Sequence, residues 1–282
     1  MSTYSPASRM VQSGALQWNV RTVGSGPICL LIHGTGASVH TWDNLAPLLA
    51  QHYTVVMMDL PGHADTLTPA NADLTLPGMA TALFQLIKQE NLQADTIVGH
   101  SAGAAVMLEM CLQHPQCAKR LISINAAVMP LVGLAGYLFS PLARMSANSQ
   151  WMPRFFSYRA RNDKNIRKLL DSTGSVVDPQ SFRRYAELFS NPSHVSGVLR
   201  MMANWHLEKL TPRLGQLQQP ILLIASSEDK TIPLRDTYKL QKLIPGDNVR
   251  TSVITGRGHL LHEEDPTPVA QLILDSATHE DK

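Results

Sequence analysis

Gly99-His100-Ser101-Ala102-Gly103 is the motif of this chain that says most about its architecture. It has the pattern Gly-x-Ser-x-Gly. The apolar run before it, 96–99, predicts a strand, and the segment after it, Ala102–Gln113, predicts a helix. Joining the two requires a sharp, strained turn, and the glycines leave room there for neighbouring chain. Such a turn presents the Ser101 hydroxyl at the edge of a sheet, beside the first amides of a helix.

Six short apolar runs, rich in β-branched residues and separated by helix-like segments, indicate an α/β architecture with a mostly parallel central sheet flanked by helices. In such a sheet, functional residues collect at the carboxyl ends of the strands. The runs cover residues 28–33, 54–59, 95–99, 121–125, 221–225 and 249–254.

The middle of the chain breaks this rhythm, because residues 130–205 contain helical patterns and no clear strand. A length of 282 residues suits one large domain with an insertion rather than two independent enzymes. We therefore predict a core formed by 1–129 and 206–282, with residues 130–205 inserted as a helical cap, or lid.

The predicted cap differs from the core in charge. It holds ten Lys and Arg against four Asp and Glu, a net charge of +6, whereas the whole chain has a net charge of +2. Within it, residues 131–143 carry no charge. Three interpretations of that stretch stay open: packing against the core, contact with an apolar substrate through Tyr137 and Phe139, or peripheral contact with a membrane.

A serine hydroxyl is a weak nucleophile at neutral pH, so Ser101 needs a base that is held by a third group. With this kind of turn the expected chain order is serine, acid, histidine. Asp229 follows the fifth predicted strand and lies four residues before a proline, with Glu228 as the competing acid. His259 lies in the glycine-rich loop after the last strand, with His262 as the competing base.

A developing oxyanion needs preorganised donors, and the glycine turn His33-Gly34-Thr35-Gly36 can supply them from its backbone. We assign this role to the amides of Thr35 and Ala102. His33, Gly34 and His100 are candidate lining residues of the substrate pocket, and His33 is also expected to brace its loop through hydrogen bonds. His63 either lines the pocket or satisfies backbone groups.

Several function classes are disfavoured by what the sequence lacks. There is no dense basic run for nucleic acid, no apolar stretch long enough to span a membrane, and no signal peptide in the first ten residues, so a cytoplasmic location is expected. No zinc, paired-cysteine or dinucleotide motif appears, and we expect no cofactor and no metal. A serine at the centre of the turn, rather than an aspartate, argues against dehalogenase or epoxide-hydrolase chemistry.

Taken together, these features resemble the α/β-hydrolase superfamily, and a closer resemblance is to the magnesium-chelatase accessory hydrolases of bacteriochlorophyll biosynthesis. Ala64 and Ser226 depart from the superfamily pattern, since glycine is common at both positions. The matching stretches are 33–38 with Trp42, 76–80, 99–105, 135–144, 194–205 and 258–264.

Hydrolysis of a carboxylic ester, with a small molecule as the substrate, is favoured by three features. They are the sharp turn at Ser101, the chain order serine, acid, histidine, and the glycine turn that can bind an oxyanion. The resemblance implies a role beside magnesium insertion into porphyrin, with a tetrapyrrole as the candidate substrate and magnesium chelatase as the candidate partner. Two other hypotheses remain open: a non-catalytic accessory protein that binds a tetrapyrrole or the chelatase, and an enzyme with the same three residues that hydrolyses carbon–carbon bonds or catalyses perhydrolysis.

Overall fold

An eight-stranded sheet forms the centre of the computed structural model, which describes residues 7–129, 149, 151–244 and 246–278. The spatial order of its strands is β1-β2-β4-β3-β5-β6-β7-β8. Strands β3 to β8 run parallel, whereas β1 and β2 form an antiparallel hairpin at one edge. The strands are β1 (Ser8–Ser13), β2 (Leu16–Gly24), β3 (Ile28–Ile32), β4 (Thr54–Met58), β5 (Ala94–His100), β6 (Ala118–Ile124), β7 (Ile221–Ser226) and β8 (Val249–Ile254).

The six parallel strands confirm the six predicted ones, and the α/β architecture with them. The β1–β2 hairpin was not predicted from the sequence. Its strands mix polar with apolar residues because one side of the hairpin faces solvent, so they lack the continuous apolar run of a buried strand. The signal that could have revealed them is Gly14, which takes φ +58° at the turn between them.

Helices cover both faces of the sheet. Alternate residues of β3 enter opposite layers: Leu30 and Ile32 pack with α2 and α3, whereas Cys29 and Leu31 pack with α1 and α10. The helices are α1 (Ala46–Leu49), α2 (Leu76–Gln89), α3 (Ala102–Gln113), α4 (Trp151–Ala160), α5 (Asp163–Asp171), α6 (Pro179–Ser190), α7 (Pro192–Ala203), α8 (Leu234–Leu243), α9 (Leu261–Glu264) and α10 (Pro266–Thr278).

Helices α4 to α7 lie between β6 and β7 in the chain, in the region where a helical insertion was expected. Their own small core includes Ile166 and Tyr185, and it joins the main body through Ala37 and Leu260. The cap boundaries at 130 and 205 remain predictions. The uncharged stretch 131–143, with its candidate pocket residues Tyr137 and Phe139, lies outside the described residues. Among the helices that are described, none combines the length and the apolar character needed to cross a bilayer.

Candidate active site

Ser101 lies at the sharp turn between β5 and α3. Its backbone has φ +52° and ψ −117°, a conformation that costs a non-glycine residue of order 1–3 kcal/mol. A Cβ atom added at Gly99 would lie 2.5 Å from the Ala104 Cα, and one added at Gly103 would lie 2.2 Å from the Ile32 carbonyl oxygen. The two glycines therefore allow the close packing that holds Ser101 in its strained position.

Ser101, His259 and Asp229 lie together at the carboxyl ends of β5, β8 and β7. The His259 Nε2 atom is 2.9 Å from the Ser101 Oγ atom, and the His259 Nδ1 atom is 2.7 Å from the Asp229 Oδ2 atom. A carboxylate only accepts hydrogen bonds, so the His259 Nδ1 atom carries the ring proton and donates a hydrogen bond to Asp229. Nε2 is then free to accept the proton of the serine hydroxyl.

The competing acid and base lie elsewhere. Glu228 is exposed and accepts a hydrogen bond from the neighbouring Ser227 hydroxyl. His262 is fully buried, and its Nε2 atom donates to the Thr41 hydroxyl. Asp229 is also held firmly, because its second oxygen, Oδ1, accepts hydrogen bonds from the amides of the second and third residues after it, at 2.7 and 2.8 Å.

The glycine turn after β3 packs directly against the serine. A Cβ atom at Gly34 would lie 3.0 Å from the Ser101 Cβ atom, so any larger residue there would crowd the hydroxyl. Thr35 follows in the same turn. Ala102 opens α3, where the first amides have no partner within the helix. The two assigned oxyanion donors thus come from loops that meet at Ser101.

His33 and His100 are both buried, and each makes hydrogen bonds to backbone. The His33 Nδ1 atom donates to the Gly34 carbonyl, and its Nε2 atom accepts from the Leu60 amide. The His100 Nε2 atom donates to the carbonyl of His259 at 2.9 Å, which places its ring against the loop that carries His259. Burial lowers the pKa of His33 to about 3 and lowers the pKa of His100 well below its usual range, so both rings are neutral.

His63 continues the buried histidine cluster, with its ring centroid 5.1 Å from that of His33 and 5.5 Å from that of His194 on α7. The His194 ring bridges two loops of the core: its Nδ1 atom accepts from the Ala64 amide, and its Nε2 atom donates to the Gly36 carbonyl. Ala64 takes φ +42°, which explains why glycine is common at that position.

Asn125 and Ser226 hold the loop that carries His259 through hydrogen bonds, and neither residue was assigned to the site from the sequence. The Asn125 side-chain amide donates to the His259 carbonyl at 3.0 Å. The Ser226 hydroxyl donates to the Gly258 carbonyl at 2.6 Å and accepts from Asn125 at 2.9 Å. Ser226, a departure from the common glycine, therefore adds a tether to the loop.

The turn Thr173-Gly174-Ser175 between α5 and α6 also holds the loop that carries His259. The Thr173 carbonyl accepts hydrogen bonds from the amides of both Lys230 and His259, at 3.2 Å each. The Ser175 hydroxyl accepts from the Leu260 amide at 2.7 Å. Gly174 takes φ +82°, and a Cβ atom there would lie 2.3 Å from the Glu228 carbonyl oxygen. This turn thus joins the acid loop to the histidine loop.

A cavity of about 1010 Å³ opens between the loop after β4 and helices α4 and α7. His194 lines it, together with Arg154 and Arg200, but none of the triad residues does. Within the described part of the chain, no group of three or more His, Cys, Asp or Glu side chains is placed to hold a metal ion.

Comparisons with known proteins show the family of the chain. A family model described as alpha/beta hydrolase fold matches residues 27–266. The chain is 35% identical over 274 residues to the magnesium-chelatase 30 kDa subunit of Rhodobacter capsulatus, covering 96% of this chain and 95% of that protein. It is 26% identical to a 2-hydroxy-6-oxo-6-(2'-aminophenyl)hexa-2,4-dienoic acid hydrolase of Metapseudomonas resinovorans, covering 94% and 89%.

Among solved structures, a meta-cleavage product hydrolase from Pseudomonas fluorescens superposes with a TM-score of 0.80 at 19% identity, covering 96% of this chain and 98% of that one. At that identity the likeness concerns the fold alone.

Proposed function

We propose that this chain, which belongs to the α/β-hydrolase fold family and is a relative of the magnesium-chelatase 30 kDa subunit, is a serine hydrolase acting on a carboxylic ester. Ser101 is the nucleophile, His259 the general base and Asp229 the group that orients the base. The observation that carries the proposal is the continuous hydrogen-bond path from the Ser101 hydroxyl through the His259 ring to a doubly anchored Asp229.

In the first half-reaction, the Ser101 Oγ atom attacks the acyl carbon while its proton passes to the His259 Nε2 atom. The amides of Thr35 and Ala102 donate to the oxyanion that forms, and Asp229 stabilises the imidazolium. Collapse of this intermediate releases the alcohol, which takes the proton from His259, and leaves an acyl group on Ser101. Water then attacks the acyl-enzyme with the same base and the same oxyanion donors.

We propose a bulky apolar substrate, because the apolar side chain of Phe189, in the proposed cap, covers the glycine turn that would bind the oxyanion. The Phe189 ring of α6 lies so close to Gly36 that an added Cβ atom would be 2.8 Å from the Phe189 Cζ atom. A tetrapyrrole ester is the candidate substrate, and a role with magnesium chelatase in magnesium-porphyrin and bacteriochlorophyll biosynthesis is the candidate context. Both rest on the name of the Rhodobacter capsulatus relative.

Hydrolysis of a carbon–carbon bond is the second candidate, favoured by the name of the Metapseudomonas resinovorans relative. The same triad and oxyanion donors serve both reactions, so substrate assays decide between them. An ester hydrolase would turn over a panel of p-nitrophenyl esters but not a 2-hydroxy-6-oxo-dienoate. A carbon–carbon hydrolase would turn over the dienoate in preference to the esters. Binding of porphyrin, measured by fluorescence titration, tests the tetrapyrrole separately, and its absence would remove that substrate class alone.

The proposed activity is tested by reacting the purified protein with a fluorophosphonate and measuring its intact mass. We expect one adduct on the wild type and on the control Ser196→Ala, a half-buried serine of α7, and none on Ser101→Ala. An unlabelled wild-type protein would contradict the proposal and favour a non-catalytic accessory protein that binds a tetrapyrrole or the chelatase. Full rescue of a deletion strain by Ser101→Ala would show that catalysis is not the cellular role.

A further inference from the structure

Helix α4 is amphipathic in the opposite sense to that of an ordinary surface helix. It buries three residues of its face toward the protein, Pro153, Ser157 and Ala160, of which none is large. Its large aromatic side chains are exposed instead, whereas a surface helix normally turns its apolar side chains inward. The exposed fractions are 75% for Trp151, 52% for Phe155, 42% for Phe156 and 71% for Tyr158.

The exposed aromatic surface is large for a single ten-residue helix. Since an aromatic side chain has roughly 150–250 Å² to bury, these four expose on the order of 500 Å² in total. That is as large as the largest apolar patch of a typical monomer, and patches of this size are often functional. We call Trp151, Phe155 and Tyr158, which share one side of the helix, together with Phe156 at its border, 5.7 Å from Phe155 between ring centroids, the aromatic face of α4; it is a candidate docking surface.

Basic side chains are interleaved with the aromatic face. The guanidinium carbons of Arg154, Arg159 and Arg161 lie 5.8, 6.0 and 6.0 Å from the ring centroids of Trp151, Phe155 and Tyr158. From 151 to 168 the sequence holds six Lys and Arg and one Asp, a net charge of +5. The partner of this face has to be apolar just beneath a negatively charged surface.

We propose that the aromatic face of α4 docks on the surface of a bilayer that contains anionic phospholipids. Aromatic rings insert at the boundary between headgroups and acyl chains, and arginines bind the phosphates above them. Basic residues near such a surface are attracted to its negative charge, and this attraction together with the inserted rings gives stable attachment. A second copy of this chain fits the face poorly, because its own α4 would bring the same positive charge against it.

Docking through α4 would orient the catalytic core. Helix α4 packs against α6 and α7, which carry Phe189 and His194 onto the oxyanion loop. The cap would thus face the lipid, and the sheet would lie behind it. An apolar substrate dissolved in the bilayer would then reach the cap without crossing bulk water.

The test is flotation of the full chain with vesicles of phosphatidylcholine alone and of phosphatidylcholine mixed with phosphatidylglycerol. Tryptophan fluorescence supplies a second readout, because Trp151 is exposed while Trp18, Trp42 and Trp205 are buried. We expect binding to the mixed vesicles only, a blue shift of the emission on binding, and weaker binding at high salt.

Two double variants remove the two halves of the proposed contact: Phe155→Ser with Phe156→Ser, and Arg154→Glu with Arg159→Glu. Each should lower the apparent affinity for anionic vesicles at least tenfold without lowering the unfolding temperature, because the altered side chains are exposed. The matched control is Arg235→Glu with Tyr238→Ser on α8, which also changes an exposed arginine and an exposed aromatic residue and should bind like the wild type.

Three results would overturn the proposal. The first is equal flotation with both kinds of vesicle, or none with either. The second is a dimer, measured by light scattering, that the Phe155→Ser, Phe156→Ser variant dissociates, since the face would then belong to a second copy. The third is a lower unfolding temperature in that variant with no vesicle binding by the wild type, since the face would then be covered by another part of the chain.

Discussion

Replacing Asp229 by Asn changes one atom of the triad and should abolish most of the activity. The Asp229 Oδ1 atom accepts two backbone amides, so the asparagine oxygen would take that position and its NH₂ group would face His259. The His259 Nδ1 atom would then have to accept, and the ring proton would move to Nε2, where it blocks transfer from Ser101. In triads of this kind the wrong tautomer lowers the rate about 10⁴-fold, or roughly 5 kcal/mol in activation free energy.

The assay is the rate of fluorophosphonate labelling of Ser101, which reports nucleophile activation without knowledge of the substrate. The control is Asp236→Asn, since Asp236 is also a buried aspartate but pairs with Lys239 on α8. The unfolding temperature of each variant shows whether the loss is chemical or structural. A well-folded Asp229→Asn protein that labels within tenfold of the wild-type rate would refute the role of Asp229 in fixing the tautomer.

Two further predictions concern stability. Gly174→Ala should lower both the unfolding temperature and the labelling rate, because its Cβ would strike the Glu228 carbonyl, whereas Gly246→Ala has a similar positive φ and open space and should lower the unfolding temperature only slightly. A labelling rate that falls equally in both variants would contradict this reasoning. Burial lowers the pKa of five histidines from 6.5 to about 3, so the free energy of unfolding should fall as the pH drops below 6.5, by about 1.4 kcal/mol per pH unit for each residue. Burial also raises the pKa of Glu263 from 4.5 to about 7 and that of Asp59 from 3.8 to about 6, and both carboxyls oppose the trend as the pH falls through these values. Urea unfolding at pH 7.5 and 5.5 measures the sum, and equal stability at both would contradict the prediction. The five residues are His33, His40, His63, His194 and His262.

Strands β3 to β7 were predictable because each contains a short, mostly apolar run that is followed by glycine or a polar residue, whereas β8 is only partly buried and was recognised by its β-branched residues. Both ends of the helix Ala102–Gln113 were predicted correctly, and its start is set by the sharp turn at Ser101. Strands β1 and β2 were not predicted because their polar residues interrupt the alternation of apolar and polar residues that is typical of a strand. Their extended conformation is stabilised by the antiparallel pairing of β2 with β4, which the local sequence does not indicate.

The proximity of the three proposed reacting groups was predictable for a related reason: each follows a recognisable strand, and parallel strands bring their carboxyl ends to one edge. The residues that hold those groups were not. Asn125 directly follows β6 and takes φ +45°, but nothing local indicates that its side chain donates to the carbonyl of His259, 134 positions further along the chain. Such contacts depend on tertiary packing, which composition and spacing do not encode.

Both the core and the turn between α5 and α6 hold His259, and this restricts any motion of the proposed cap. The His259 carbonyl is fixed from the core by His100 and Asn125, whereas its amide is fixed by the carbonyl of Thr173. The same Thr173 carbonyl holds Lys230, next to the acid. If the turn around Gly174 left with an opening cap, the acid and histidine loops would both lose a hydrogen bond at once. Any motion that admits substrate while keeping the triad assembled must therefore leave this turn in place and move the helices beyond it.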